Sequence, residues 1–247
     1  MSDTAEISTN LPTPERALAI GAHPDDIEFG AGSTLAKWAA DGCVVSMLIC
    51  TDGSKGTWDP NANTAALATL RQLEQAEAAD HLGVTGDVIF LGWTDGELDS
   101  SLRQRIQVAS AIRRLQPTVV LGHDPWKPYR LHPDHRHAGL LAVEGIVAAR
   151  DPHFFPEIAL AHHRPDHLLL FEAEVMDHVE STDGFETQKL AALEAHQSQF
   201  ESTMFVTDDD DGSQMEKFRQ VETDLLIAHG ALVGFSRGEA FKRISDL

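Results

Sequence analysis

The chain has 247 residues, 42% of them hydrophobic, which is enough for the core of one α/β domain and argues against disorder. Its formal net charge of −20 repels phosphate backbones and anionic lipid, so neither nucleic acid nor a membrane surface is an expected partner. No apolar run approaches the roughly 20 residues of a membrane helix.

The first dozen residues, MSDTAEISTNLP, are polar. Residues 1–15 read as a flexible tail and 16–247 as a single domain. Ala17 to Ile20 is a short apolar run closed by Gly21, as suits a buried strand. Pro24 cannot donate to a sheet ladder, so the strand stops before it. His23, Pro24, Asp25 and Asp26 then occupy a strand-to-helix turn, and a helix is expected over Ser33–Ala40. Open α/β sheets place ligands at that carboxyl end of a strand.

Val44 to Cys50 reads as the second strand, running into a polar loop from Thr51 to Gly56. The two cysteines, Cys43 and Cys50, lie in or beside this segment, too far apart on an extended chain to bridge. Free buried thiols without a secretory signal point to the cytoplasm. Residues 62–83 form a long helix, on which Arg71 and Glu74 are spaced as a surface pair. Val88 to Leu91 is the third strand, with a polar loop from Gly92 to Glu97 behind it. A helix over 101–115 carries Leu102, Ile106, Ala109 and Ile112 at core spacing, and Thr118 to Leu121 is the fourth strand.

Next comes GHDPWKPYRLHPDHRHAG, residues 122–139, holding His123, Asp124, His132, Asp134, His135 and His137. Its three prolines predict a loop, with a helix from Ala138 to Arg150. Strands follow at His167–Phe171 and Val175–Glu180, then a helix over Phe185–Gln197. Asp208 to Asp211 is a solvated acidic loop, and a last helix runs from Gln214 to His229. His162, His163 and His178 lack a spacing partner and are expected on the surface or in loops.

Strands alternating with helices imply βαβ units and a parallel sheet. In the order 3-2-1-4-5 the first and fourth strands are neighbours. The HPDD and HPDH turns would then meet across one crevice. Imidazole and carboxylate suit Zn²⁺, and two adjacent Asp offer one ligand and one free base. Helix capping accounts for one Asp-rich turn, but not for two His/Asp clusters at neighbouring strand ends. A dinucleotide site is excluded: Gly30-Ala31-Gly32 has Leu35 where the third glycine belongs, and two acids would face the pyrophosphate.

AHPDD at 22–26 and HPDH at 132–135, in this order and spacing, resemble the PIG-L / LmbE-like deacetylase family. Thr51-Asp52-Gly53, the Arg71 helix ending in Leu82-Gly83, the Gly92–Leu98 loop and AHQSQ at 195–199 extend the likeness over most of the chain. The resemblance implies a Rossmann-like three-layer αβα sandwich with a mostly parallel sheet. It implies hydrolysis of the N-acetyl amide of an N-acetylglucosamine-type sugar or related small conjugate, with one divalent ion, usually zinc. By ligand type Fe²⁺ is the alternative. It implies His23, Asp26 and His135 as metal ligands and Asp25 as general base. His132 resembles the acid or oxyanion-stabilising histidine, Asp134 the group orienting it, and Arg71 a substrate contact. Ile27 stands where many members carry Glu, which here follows at Glu28 and leaves the substrate open. An amidase for a larger acyl or thiol conjugate and a metal-containing sugar-binding protein without turnover are the alternatives. The expected partner is a small amino sugar, with a homo-oligomer left open.

Overall fold

The structure, a computed structural model, describes residues 6–247. Its strands are β1 (Ser8–Thr9), β2 (Arg16–Gly21), β3 (Val44–Thr51), β4 (Val88–Trp93), β5 (Val119–His123), β6 (His167–Phe171), β7 (His178–Ser181) and β8 (Gly238–Ile244). The helices are α1 (Asp26–Ala40), α2 (Thr64–His81), α3 (Leu102–Leu115), α4 (Pro133–Arg150), α5 (Glu186–Glu194) and α6 (Ser213–Ala231).

One sheet runs β1-β7-β8-β6-β5-β2-β3-β4. From β6 to β4 all pairs are parallel, in the order that the βαβ pattern predicts. Beyond β6 the pattern changes. β8 lies antiparallel to both β6 and β7, and β1 pairs in parallel with β7.

The central strands are buried on both faces, which is why they read as continuous apolar runs rather than alternating ones. On β2, Ala17 and Ala19 join one core with Val45, Met47 and Ile49, beneath α1, α2 and α5. Leu18 and Ile20 join the other with Leu48 and Val120, beneath α3 and α4. The result is the αβα sandwich, with Cys43 and Cys50 free and buried in it. Among the described residues no helix is long and apolar enough to cross a membrane.

Four details depart from the sequence reading. α1 starts at Asp26, not Ser33, so the two aspartates sit at its very beginning. α4 starts at Pro133, so half of the proline-bearing loop is helix. Proline breaks a helix interior but is favoured at its first position, where its missing N–H has no partner anyway. Residues 1–5 of the expected tail lie outside the described residues. From Ser8 the tail segment is docked: Leu11 is buried, and its N–H donates to Glu180 Oε1 at 2.7 Å. His178 is no surface residue. It is fully buried on β7, between the Ser8 hydroxyl and Glu180.

Candidate active site

Because β2 and β5 are neighbours, the turns after them open at one end of the sheet. After β2 the chain passes through His23, Pro24 and Asp25 into α1. Asp25 has φ 100°, a left-handed conformation rare outside glycine. Its side chain makes no capping hydrogen bond, so capping does not explain it. After β5 the chain runs out to Leu131 and returns through His132 into the first turn of α4, which carries His135 over Asp26. These side chains line a cavity of about 520 Å³.

Asp26 is the hub. Its Oδ2 accepts from the His23 N–H at 2.7 Å and lies 3.3 Å from His23 Nδ1 and 3.2 Å from His123 Nε2. Its Oδ1 lies 3.2 Å from His135 Nε2. The ligand atoms of His23, Asp26 and His135 all fall within 4.8 Å of one another, as do those of His23, His132 and Asp134. A third group, His123, His135 and Glu172, is already occupied by a cation. Arg130 Nη1 stands 2.6 Å from Glu172 Oε2 and 3.2 Å from His135 Nδ1.

His23 Nε2 faces two further carboxylates, Asp95 and Asp134, each at 3.2 Å. Burial lowers the basicity of this imidazole. The bonds to Asp134, Asp26 and Asp95 outweigh it and hold its pKa well above the usual value. Burial opposes ionisation of Asp26, but His135 and His123 hold its pKa well below the carboxylate range. Burial pushes His135 down to about 4, so its ring is neutral near pH 7. His123 Nε2, 3.2 Å from Asp26 Oδ2, makes no well-aligned hydrogen bond among the described residues. Buried carboxylates in surplus and a neutral imidazole fit a Zn²⁺ or Fe²⁺ site.

Asp25 lies beside this set, and burial pushes its pKa up to about 6 against the pull of Arg71. His132 sits on the exposed rim, its ring 4.6 Å from that of His23 and 4.9 Å from that of His135. Asp134, assigned from the sequence to orient His132, is turned elsewhere. With Pro133 opening the helix, Asp134 is wholly buried and its carboxylate meets His23 and the Gly96 and Leu98 amides.

Arg71, assigned to the substrate, borders the cavity from behind. It donates to Gly53 O at 2.9 Å, Pro24 O at 2.5 Å and Asp25 Oδ2 at 3.3 Å. A Cβ on Gly56 would stand 2.3 Å from its Nη1, so a side chain there would displace the guanidinium. The Arg71–Glu74 surface pair does not form. Glu74 is buried and accepts from the Ser198 amide and hydroxyl at 2.8 and 2.6 Å. That contact gives the Ser of AHQSQ its role, and Gln199 donates to Gly56 O at 3.1 Å. Two residues of the centre, Asp95 and His123, are absent from the sequence-assigned set. Both stand at or just beyond the carboxyl end of a strand, which was the available signal. Phe29 and Thr203 line the cavity and also an adjoining apolar groove of about 330 Å³, with Met204, Phe205, Phe218 and Val221.

The profile of the PIG-L family, described as GlcNAc-PI de-N-acetylase, matches residues 18–146. The diacetylchitobiose deacetylase of Thermococcus kodakarensis is 34% identical over 200 residues, 75% of this chain and 70% of that one. The 1D-myo-inositol 2-acetamido-2-deoxy-alpha-D-glucopyranoside deacetylase of Streptomyces avermitilis is 33% identical over 168 residues, 58% of this chain and 56% of its own length. Among solved structures, the N,N'-diacetylchitobiose deacetylase from Pyrococcus horikoshii, complexed with its inhibitor MPG, superposes with a TM-score of 0.84 at 30% identity. That superposition covers 94% of this chain and 84% of the other. The profile match, the relatives and the shared α/β fold agree: the chain belongs to the PIG-L family, with the fold of the LmbE-like deacetylases.

Proposed function

We propose that this chain is a metal-dependent N-deacetylase that hydrolyses the N-acetyl amide of an N-acetylglucosamine-type sugar. One observation carries the reading: a His23/Asp26/His135 donor set has a further buried carboxylate, Asp25, beside it, outside the set and held by Arg71, in a cavity of about 520 Å³. That volume suits a small ligand. The deacetylase names of the relatives support the substrate class.

His23, Asp26 and His135 would hold the ion, zinc by ligand type with Fe²⁺ second. When bound, it supplies Lewis acidity toward the amide carbonyl and water. The protein's own groups do the rest. Asp25 takes a proton from the attacking water at its carboxylate and returns it to the departing amine. His132, at the rim, donates an N–H to the carbonyl oxygen as negative charge develops there. Asp134 holds His23 through Nε2, which fixes the ring and leaves Nδ1 toward Asp26. Arg71 keeps Asp25 in place from behind.

Asp25 also argues against a sugar-binding protein without turnover, because binding needs no free base. A second reading, an amidase for a larger acyl group or conjugate, is favoured by the apolar groove beside Phe29. The buried free thiols favour a cytoplasmic setting. The test is acetate release from N-acetylglucosamine, its methyl glycoside and N,N'-diacetylchitobiose, with chelator and after zinc is restored. Metal-dependent release is expected. Full activity in metal-free protein, or release of longer acyl groups only, would reject the first reading.

A further inference from the structure

The backbone of Asp25, at φ 100° and ψ −29°, lies where a side chain is disfavoured, and such a conformation persists only when its surroundings enforce it. Two side chains of α2, one turn apart, surround it. Arg71 holds the carbonyl of Pro24 and the carboxylate of Asp25. Gln75, fully buried, accepts the Asp25 backbone N–H at 3.2 Å through Oε1.

An amide can face either way. Here Glu28 decides it. A carboxylate only accepts, and Glu28 Oε1 takes the Gln75 Nε2–H at 2.6 Å, so Gln75 must present its oxygen to Asp25. Glu28 is itself wholly buried, and its other oxygen lies 3.7 Å from Nε2 of the equally buried His196. Neither of those two atoms has a hydrogen-bond partner among the described residues. A carboxylate, an amide and an imidazole in line, sealed from water, are poor packing material compared with apolar side chains. Their order makes sense as a device that ends on the Asp25 amide.

We propose that Gln75, turned by Glu28 and backed by His196, is the positioning residue that holds Asp25 in its left-handed conformation with the carboxylate in the cavity. The proposal rests on the deacetylase reading, in which Asp25 is the base. Gln75→Met keeps the length and shape of the side chain but cannot make either hydrogen bond. The expected result is unchanged metal content and KM, with kcat lower on the order of 10²-fold on whichever sugar the wild type turns over. A crystal structure of that variant should show Asp25 relaxed out of the left-handed region. Gln75→Glu keeps the acceptor for Asp25 but sets it against the Glu28 carboxylate, so kcat should fall here too. Adding Glu28→Gln restores a donor between positions 28 and 75 and should recover kcat, which a merely loosened core would not do.

Wild-type kcat with Asp25 unmoved in Gln75→Met overturns the proposal. So does a double variant no better than Gln75→Glu alone, and that comparison decides if Gln75→Met does not fold. If the wild type deacetylates nothing while Asp25 still relaxes in Gln75→Met, the deacetylase reading falls and the clamp stands.

Discussion

The HPDH segment offers two histidines to two overlapping ligand sets, and removing them one at a time tells ligand from non-ligand. His135 belongs with His23 and Asp26; His132 belongs with His23 and Asp134. Asp134 is already taken up by His23, Gly96 and Leu98, whereas Asp26 Oδ1 faces His135 Nε2 at 3.2 Å. His135 is therefore the expected ligand under the proposed function. An ion that binds only the folded state adds about 2.7 kcal/mol at a free concentration 100 times its Kd. In a chain of this size each kcal/mol shifts Tm by about 2–4 °C. Zinc should thus raise Tm by roughly 5–11 °C over chelator-treated protein. His135→Ala should abolish that difference. His132→Ala should keep it, while kcat falls about 10²–10³-fold, as for an oxyanion donor. Thermal unfolding with zinc or chelator, paired with elemental analysis and kinetics, measures all three. A His135→Ala protein that keeps the metal-dependent shift, or a His132→Ala protein that loses it, would refute the assignment.

Asp25→Ala should keep the metal and lose about 10²–10⁴ in rate, the usual value of a general base; metal loss there with retention in Asp26→Ala would show the two roles reversed. Arg113 on α3 is buried and donates to the carbonyls of Ala148, Ala149, Asp151, Phe154 and Phe155, closing the end of α4. Arg113→Met removes all five bonds, and although Ala149, Asp151 and Phe155 keep a backbone donor each, the loss should destabilise the fold by on the order of 3 kcal/mol in urea titration. Glu180 is buried against His178, Lys37 and the Leu11 amide, and these contacts hold its pKa below the ordinary value despite burial. A depressed carboxylate stabilises fully above its unfolded pKa, and that contribution is lost as pH falls through the folded one. Glu180→Gln should therefore lower stability near neutrality and flatten the loss between pH 5 and acid; an unchanged acid-unfolding curve would contradict this.

The parallel half of the sheet was legible because its strands are uninterrupted apolar runs between helices. Their order was taken as the doubly wound 3-2-1-4-5, and with it came the meeting of HPDD and HPDH. The reach of α1 and α4 was hidden because Pro24 and Pro133 look alike in sequence, one ending a strand and the other opening a helix. β8 was hidden because GEAFKRI carries charge inside a strand. Glu239 is nonetheless buried, accepting from the Ser33 and Thr34 amides of α1 and from Lys189. The partner of Asp134 could not be read either. Spacing says that two side chains share a loop, not which way a helix turns each of them.

The position of β8 also bears on how the molecule comes into being. It is the last strand in chain order, yet it lies between β6 and β7. A nascent chain that has emerged only as far as Ser236 can complete β6 through β4. It cannot seat β7, and β1, made before β2, pairs among the described residues with β7 alone. Until the final strand arrives, β6 presents an open edge of the kind that pairs with strangers. Strands far apart in sequence, β1, β7 and β8, thus lock together in a single event, a long-range closure of the sort that slows folding. Ribosome-stalled chains ending before Gly238 should remain sensitive to protease in β1 and β7 while β2 to β5 are already protected.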